Sequence, residues 1–156
     1  MSGARAVAID LDGALGDTRP LWEDWMRSAG DVLQVDAESL PADRAAAAAE
    51  LDRRGAGNWR TLLERFSEER VPVYLRRDPV ASAALRALEA AGRELGVFTD
   101  APESLARVAL AHLGADRRIA ALEAGPNALE RLLERIGADA VVVRTGAELE
   151  RLQRPG

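Results

Sequence analysis

Two carboxylate side chains, Asp10 and Asp12, follow the apolar run Ala6-Val7-Ala8-Ile9 and directly precede Gly13. A short apolar run closed by turn residues is typical of a buried parallel strand, so both carboxylates are predicted at its carboxyl end. Such a pair can bind Mg²⁺, attack phosphorus and protonate a leaving oxygen. An ordinary strand-to-helix turn capped by Asp12 explains the same residues equally well, because Asp-x-Asp-Gly is also common turn chemistry.

The elements that must position these carboxylates alternate between helix and strand after Asp78. The patterns predict helices near 79–91, 102–114, 127–136 and 147–153, and strands near 95–99, 119–122 and 140–143. Apolar residues at helical spacing predict three earlier helices, near 20–33, 42–54 and 58–69. We therefore predict a three-layer α/β core with a mainly parallel sheet, formed by 1–16 and 78–156, and a helical cap inserted at 17–77. An insertion directly after the first strand would lie over the mouth of the sheet as a lid.

Two motifs and their order resemble the haloacid dehalogenase-like (HAD) superfamily. Asp10-x-Asp12-Gly13-x-Leu15 is similar to its first motif, although Ala14 stands where threonine is usual. Val97-Phe98-Thr99-Asp100 is similar to its second motif, and the helical insertion resembles the family's small helical (C1-type) cap. The resemblance covers essentially the whole chain. It implies a HAD-like Rossmannoid core and Mg²⁺-dependent phosphomonoester hydrolysis through an aspartyl-phosphate.

The resemblance also implies roles for individual residues. Asp10 would be the nucleophile and a Mg²⁺ ligand, and Asp12 would be the general acid/base that contributes its backbone carbonyl to the metal. Thr99 would hydrogen-bond the transferring phosphoryl group, although a hydroxyl that satisfies a strand end is a fair alternative. Gly13 and Asp100 belong to the expected substrate-binding set, but a helix N-cap is the simpler interpretation of Asp100. The substrate would be a small phosphorylated metabolite.

The third and fourth motifs of the family are missing in their usual form. The third needs a cation immediately before Pro126, where Gly125 stands, and every one of the 21 basic residues of this chain is arginine. The fourth needs acidic metal ligands after the last strand, where the sequence reads Arg144-Thr145-Gly146-Ala147-Glu148. These losses weaken metal binding and the electrostatic stabilisation on which phosphoryl transfer depends.

Arginines elsewhere in the chain could compensate. Arg144, Arg117 or Arg118 could supply the missing cation, and Glu148 could reach a metal beside the two aspartates. Arg144 could instead replace the metal by pairing with the carboxylate loop, and a solvent-facing Arg144 is an equally good interpretation. Two functions therefore stay open. One is a divergent phosphohydrolase of weak or lost activity, with Mg²⁺ as cofactor if active; the other is an inactive pseudoenzyme that acts as a binding or scaffold protein.

Composition restricts the class of partner. The 26 acidic residues outnumber the 21 basic ones and give a net charge of −5, which disfavours binding to nucleic acid or to anionic lipid. There is no cysteine, which excludes disulfides and thiolate metal sites. Residues 1–5 lack the apolar stretch of a signal peptide, and no segment approaches the ~20 apolar residues of a membrane span. We expect a cytoplasmic protein, with a homo-oligomer or a protein partner left open.

Overall fold

The computed structural model describes residues 5–154. Residues 1–4 and 155–156 belong to the predicted core ranges, and residues 1–4 also belong to the segment that lacks the features of a signal peptide; both stretches lie outside the described residues. In the described range a parallel sheet has the strand order β3-β2-β1-β4. Its strands are β1 (Val7–Asp10), β2 (Leu95–Thr99), β3 (Ala121–Ala124) and β4 (Val141–Val143). The two central strands are almost fully buried, which explains why their sequences are continuous apolar runs rather than alternating patterns.

Helices cover both faces of this sheet. They are α1 (Arg19–Leu33), α2 (Arg44–Arg53), α3 (Trp59–Tyr74), α4 (Pro79–Ala90), α5 (Glu103–Leu113), α6 (Ala128–Ile136) and α7 (Gly146–Gln153). Ala8 and Phe98 pack with α6 on one face, whereas Ile9 and Val97 join the larger core on the other. The predicted three-layer α/β fold with a parallel sheet is confirmed. Among helices of the described residues, none is long and apolar enough to cross a membrane.

The close approach of α6 to the sheet depends on a glycine. A Cβ atom at Gly96 of β2 would lie 2.7 Å from Cδ1 of Leu132 and 3.2 Å from Cδ1 of Ile136. Real Cβ atoms essentially never approach other heavy atoms as closely as the first of these distances. The absence of a side chain at Gly96 therefore lets α6 pack tightly behind the strand that carries Thr99.

Three elements have a boundary two or more residues away from the sequence-based expectation. Helix α3 continues to Tyr74 rather than ending near Glu69, and it does so through Pro72, whose missing N–H removes one hydrogen bond of its last turn. Strand β3 begins at Ala121 rather than Ile119, because its register is set by pairing with Gly96. Helix α2 begins at Arg44 rather than Ala42, because the Asp43 side chain accepts the backbone N–H of Ala46.

The helices of residues 17–77 share one hydrophobic cluster with the sheet. The rings of Trp22 and Trp25 lie 5.2 Å apart, those of Trp25 and Trp59 lie 6.1 Å apart, and all three side chains are buried. The cluster runs from these rings through Leu63 of α3 to Ile9 of β1. All three tryptophans pack in this cluster, and the insertion is built into the main core.

This continuity predicts a cooperative unfolding transition. Leu63→Ala should lower the free energy of unfolding by about 2–5 kcal/mol, because Leu63 is fully buried. Val73→Ala, at a position that is 70% exposed, should change it by less than about 0.5 kcal/mol. Urea unfolding followed by tryptophan fluorescence, which reports on residues 17–77, should coincide with unfolding followed by circular dichroism. Two separated transitions would show that the insertion unfolds independently.

Candidate active site

The loop that follows β1 holds the carboxylate pair in a compact turn over Leu11–Leu15. The Asp10 side chain accepts the backbone N–H of Asp12 at 3.1 Å. Gly13 has φ +115°, and a Cβ atom there would lie 2.5 Å from the carbonyl oxygen of Arg144. Only glycine fits this position, both for its backbone conformation and for its contact with the loop after β4.

Asp12 is enclosed by hydrogen-bond donors. One carboxylate oxygen, Oδ1, accepts from the backbone N–H of Thr18 at 2.8 Å and from its hydroxyl at 2.7 Å. The other, Oδ2, accepts from the Thr99 hydroxyl at 2.8 Å and from Nη2 of Arg44 at 2.5 Å. Burial raises the pKa of Asp12, but the charge of Arg44 and the bonds from Thr18 and Thr99 outweigh it and hold the pKa below 3.8. Asp12 is therefore an ionised, fully bonded carboxylate at neutral pH.

Arg44, the first residue of α2, brings a guanidinium group from the insertion into the cleft. Its Nη1 donates to the hydroxyl of Thr18 at 2.6 Å, and its Nε and Nη2 donate to Oδ1 of Asp100 at 3.1 and 2.7 Å. The Arg44 side chain is only 3% exposed, whereas that of Asp100 is 43% exposed. The guanidinium thus joins two carboxylates that belong to different strand ends, Asp12 after β1 and Asp100 after β2.

Asp10 has a weaker partner. Its Oδ2 lies 3.4 Å from Nη1 of Arg144, whose side chain is 57% exposed and whose guanidinium lies 5.4 Å from the centre of the Phe98 ring. Burial and, second, the negative charge of Asp12 raise the pKa of Asp10 to about 6, and the backbone N–H of Asp12 and the charge of Arg144 oppose this shift only in part. Arg144 is thus beside the carboxylate loop while still facing solvent.

The other predicted site residues have structural partners of their own. The Thr99 hydroxyl donates to Asp12 and accepts the backbone N–H of Ala101 at 3.2 Å, so it is occupied within the fold. The N-cap interpretation of Asp100 is wrong, because Pro102 occupies that position of α5 and Asp100 binds Arg44 instead. The carboxylate of Glu148 accepts the backbone N–H of Arg144 at 3.3 Å.

The two further arginines considered as substitute cations lie elsewhere. Arg118 donates to Glu89 on α4 at 2.8 Å, and the side chain of Arg117 is exposed. Arg44 was not singled out in the sequence. A weak signal is its place in the first turn of a predicted helix, where the helix dipole disfavours a cation by about 0.3–1 kcal/mol.

A cavity of about 370 Å³ opens at the carboxyl ends of β1 and β2. Asp10, Thr99, Asp100 and Arg144 line it together with the first turn of α6. A second cavity, of about 440 Å³, lies between α1 and the start of α2, and its wall includes Arg44 and Asp100. Asp100 borders both cavities, so its ion pair with Arg44 lies where they adjoin.

The cleft offers few protein ligands for the Mg²⁺ ion that the resemblance implies. Between residues 5 and 154 there is no group of three or more His, Cys, Asp or Glu side chains placed to hold a metal. Both carboxylate oxygens of Asp12 are already bonded, which leaves its backbone carbonyl as a possible metal ligand, and the guanidinium of Arg144 stands beside Asp10. Mg²⁺ takes one or two carboxylates and keeps several waters, so the Asp10 carboxylate, which lies next to a competing cation, is the main ligand that these residues would supply.

Solved structures share this architecture at low sequence identity. CbbY from Rhodobacter sphaeroides in complex with phosphate matches with a TM-score of 0.64 and 16% identity, over 90% of this chain and 76% of that chain. A HAD phosphatase from Thermococcus onnurineus matches with a TM-score of 0.55 and 22% identity, over 90% and 77%. A haloacid dehalogenase-like family hydrolase from Streptococcus pneumoniae matches with a TM-score of 0.57 and 15% identity, over 98% and 80%.

These matches define the class of fold. No family model and no curated protein matches the sequence. The chain has the haloacid dehalogenase-like fold, with a Rossmannoid parallel sheet and a helical insertion after the first strand. The resemblance found in the first two motifs is confirmed as a likeness of fold.

The raised pKa of Asp10 predicts a pH-dependent effect of Asp10→Asn. Folding raises this pKa from 3.8 to about 6, so the ionised carboxylate lowers stability, and that loss develops as the pH rises from 4 to 6. Asparagine carries no charge and its side-chain oxygen can still accept the Asp12 N–H. Asp10→Asn should therefore raise the melting temperature at pH 8 and raise it less at pH 4. Thermal unfolding across this range, with the exposed Asp31→Asn as control, measures the effect; a pH-independent difference would contradict it.

Proposed function

We propose that this chain is a catalytically silent protein with the haloacid dehalogenase-like fold, which acts as a binding or scaffold protein and not as a phosphohydrolase. The observation that carries this proposal is the state of Asp12. Both of its oxygens are bonded within the fold, and one of them is paired with a buried guanidinium. In a phosphohydrolase this carboxylate would have to exchange a proton with the leaving group, and here neither of its oxygens is free to contact that group.

General acid catalysis requires a proton that can be delivered near neutral pH. The pKa of Asp12 is held below its ordinary value by Arg44 and by the hydroxyl groups of Thr18 and Thr99, so Asp12 carries no proton to donate at neutral pH. A displaced Arg44 would leave Asp12 and Asp100 without their shared cation. Protonation and access to Asp12 are therefore both opposed by the same ion pair.

The charges of the cleft also oppose a phosphorylated ligand. A phosphomonoester beside Asp10 would meet three carboxylates, those of Asp10, Asp12 and Asp100, and two guanidinium groups. Arg44 is already shared by two of the carboxylates, and Arg144 is largely exposed, so its attraction is screened by water and salt. Without a metal to balance the charge, transfer of an anionic phosphoryl group loses its main source of stabilisation.

A weak phosphohydrolase is the second candidate, and the position of Asp10 favours it. Its side chain is 20% exposed and lines the cavity of about 370 Å³, which has room for a small phosphorylated metabolite. In this alternative Asp10 would be the nucleophile, with Mg²⁺ bound during turnover and Thr99 and Arg144 near the phosphate. Turnover that depends on Asp10 is expected for the weak phosphohydrolase and not for the catalytically silent protein, so it distinguishes the two candidate functions.

We expect no Asp10-dependent phosphatase activity. Phosphate release from a panel of small phosphomonoesters in the presence of Mg²⁺ should be the same for the natural protein and for Asp10→Asn. The substitution is a matched control because it removes the nucleophilic charge while keeping the size of the side chain. Turnover by the natural protein that Asp10→Asn abolishes would refute the proposed function and establish the second candidate.

We also expect thermal stability to be independent of Mg²⁺. A ligand that binds the folded state raises the melting temperature as its concentration exceeds the dissociation constant. Melting temperatures in millimolar MgCl₂, in NaCl of equal ionic strength and in a chelator should therefore agree. A rise specific to Mg²⁺ that is absent in Asp10→Asn would show that the cleft binds the metal after all.

A further inference from the structure

We propose that Arg44 is the resident counter-cation of the cleft: its guanidinium neutralises Asp12 and Asp100 and thereby fastens residues 17–77 to the ends of β1 and β2. This charge balance belongs to the folded protein whether or not the cleft turns over a substrate, so measurements of stability, and not of activity, test it.

The geometry of the guanidinium supports this role. Nη2 lies 2.5 Å from Oδ2 of Asp12 and 2.7 Å from Oδ1 of Asp100, so one nitrogen bridges both carboxylates. Nη1 donates to Thr18, whose backbone and hydroxyl also bind Asp12. Arg44 therefore contacts every part of a closed network rather than a single partner.

Burial makes the pairing necessary. The side chains of Arg44 and Asp12 are 3% and 8% exposed, and an isolated charge at either position would be strongly unfavourable. Arg144 cannot take over for Asp12, because it faces solvent and contacts Asp10 at 3.4 Å. Within the described chain, Arg44 is the cation that lies against Asp12 and compensates its burial.

Because Arg44 is the first residue of α2, its contacts also attach the amino end of this helix to the core. The Arg44 backbone N–H donates to Oδ2 of Asp100 at 3.2 Å, so the same carboxylate binds both the side chain and the amino end of α2. A negative charge at a helix amino end is favourable, which offsets the unfavourable placement of the Arg44 cation there. Asp100 thus anchors α2 to the end of β2. The insertion, through Arg44, also supplies a positive charge that the core lacks at Gly125.

A double-mutant cycle between Arg44 and Asp12 tests the charge role. Arg44→Met keeps most of the side-chain volume but leaves Asp12 and Asp100 without their cation, and it should lower the melting temperature by roughly 10 °C. Asp12→Asn alone should also lower it. In the double variant the loss should be smaller than the sum of the two single losses by several degrees, because neither charge is then left unpaired at Asp12.

Controls separate this result from a packing effect. Arg53→Met, on the same helix, removes a 71% exposed guanidinium paired with Glu50 and should change the melting temperature little. Arg44→Lys keeps the charge without the planar fork and should fall between the natural protein and Arg44→Met. Additive losses in the cycle, or equal losses for Lys and Met, would overturn the proposal by showing that Arg44 acts through shape alone.

Folding failure of one variant would not leave the proposal untested. If Arg44→Met does not fold, recovery of a folded protein in the double variant with Asp12→Asn supports the proposal, and failure of both overturns it. Phosphatase turnover by the natural protein would refute the proposed function without altering the outcome of the cycle.

Discussion

A guanidinium group and two carboxylates are buried together where residues 17–77 meet the carboxyl ends of β1 and β2. The burial of Asp12 is tolerable only with a cation against it, and Arg44 reaches that place only if α2 lies with its amino end beside Asp100. The position of α2, the ionisation of Asp12 and the division between the two cavities are therefore consequences of one ion-pair network. Apolar packing of the insertion brings these groups close together, and the ion pairs determine their relative orientation.

The same network explains the unequal state of the two aspartates. Arg44 is shared between Asp12 and Asp100, so Asp10 keeps only the longer contact with the exposed Arg144. The pKa of Asp12 is accordingly lowered and that of Asp10 is raised, although the two carboxylates are two residues apart. Hydrolysis with Asp10 as nucleophile and Asp12 as acid would need the order of these two pKa values reversed. The site has the residue types of a phosphohydrolase and an electrostatic arrangement that suits a closed, stable fold.

Most of the fold could be predicted from local patterns, because apolar periodicity and strand-end turns report directly on burial. The runs that form β1 and β2 end in Asp10 and Thr99, and adjacency of parallel strands is enough to bring those residues to one edge. Arg44 could not be found in this way. It lies 32 residues from Asp12 and 56 from Asp100 along the chain, and its contacts depend on the angle at which α2 packs. The sequence favours Arg144 as the compensating cation because it follows β4, but the structure leaves that side chain largely exposed.

The origin of the compensating cation matters for what the cleft can do. A cation carried by the loop at Gly125 would stand on the core and leave the approach to Asp12 open. A cation carried by α2 has to cross from the insertion to the core, so neutralising Asp12 also covers its carboxylate. Catalysis needs charges that stay available to a ligand, whereas folding gains most when the same charges are paired and buried. In this chain the supply of positive charge and the covering of Asp12 cannot be separated, because one side chain provides both.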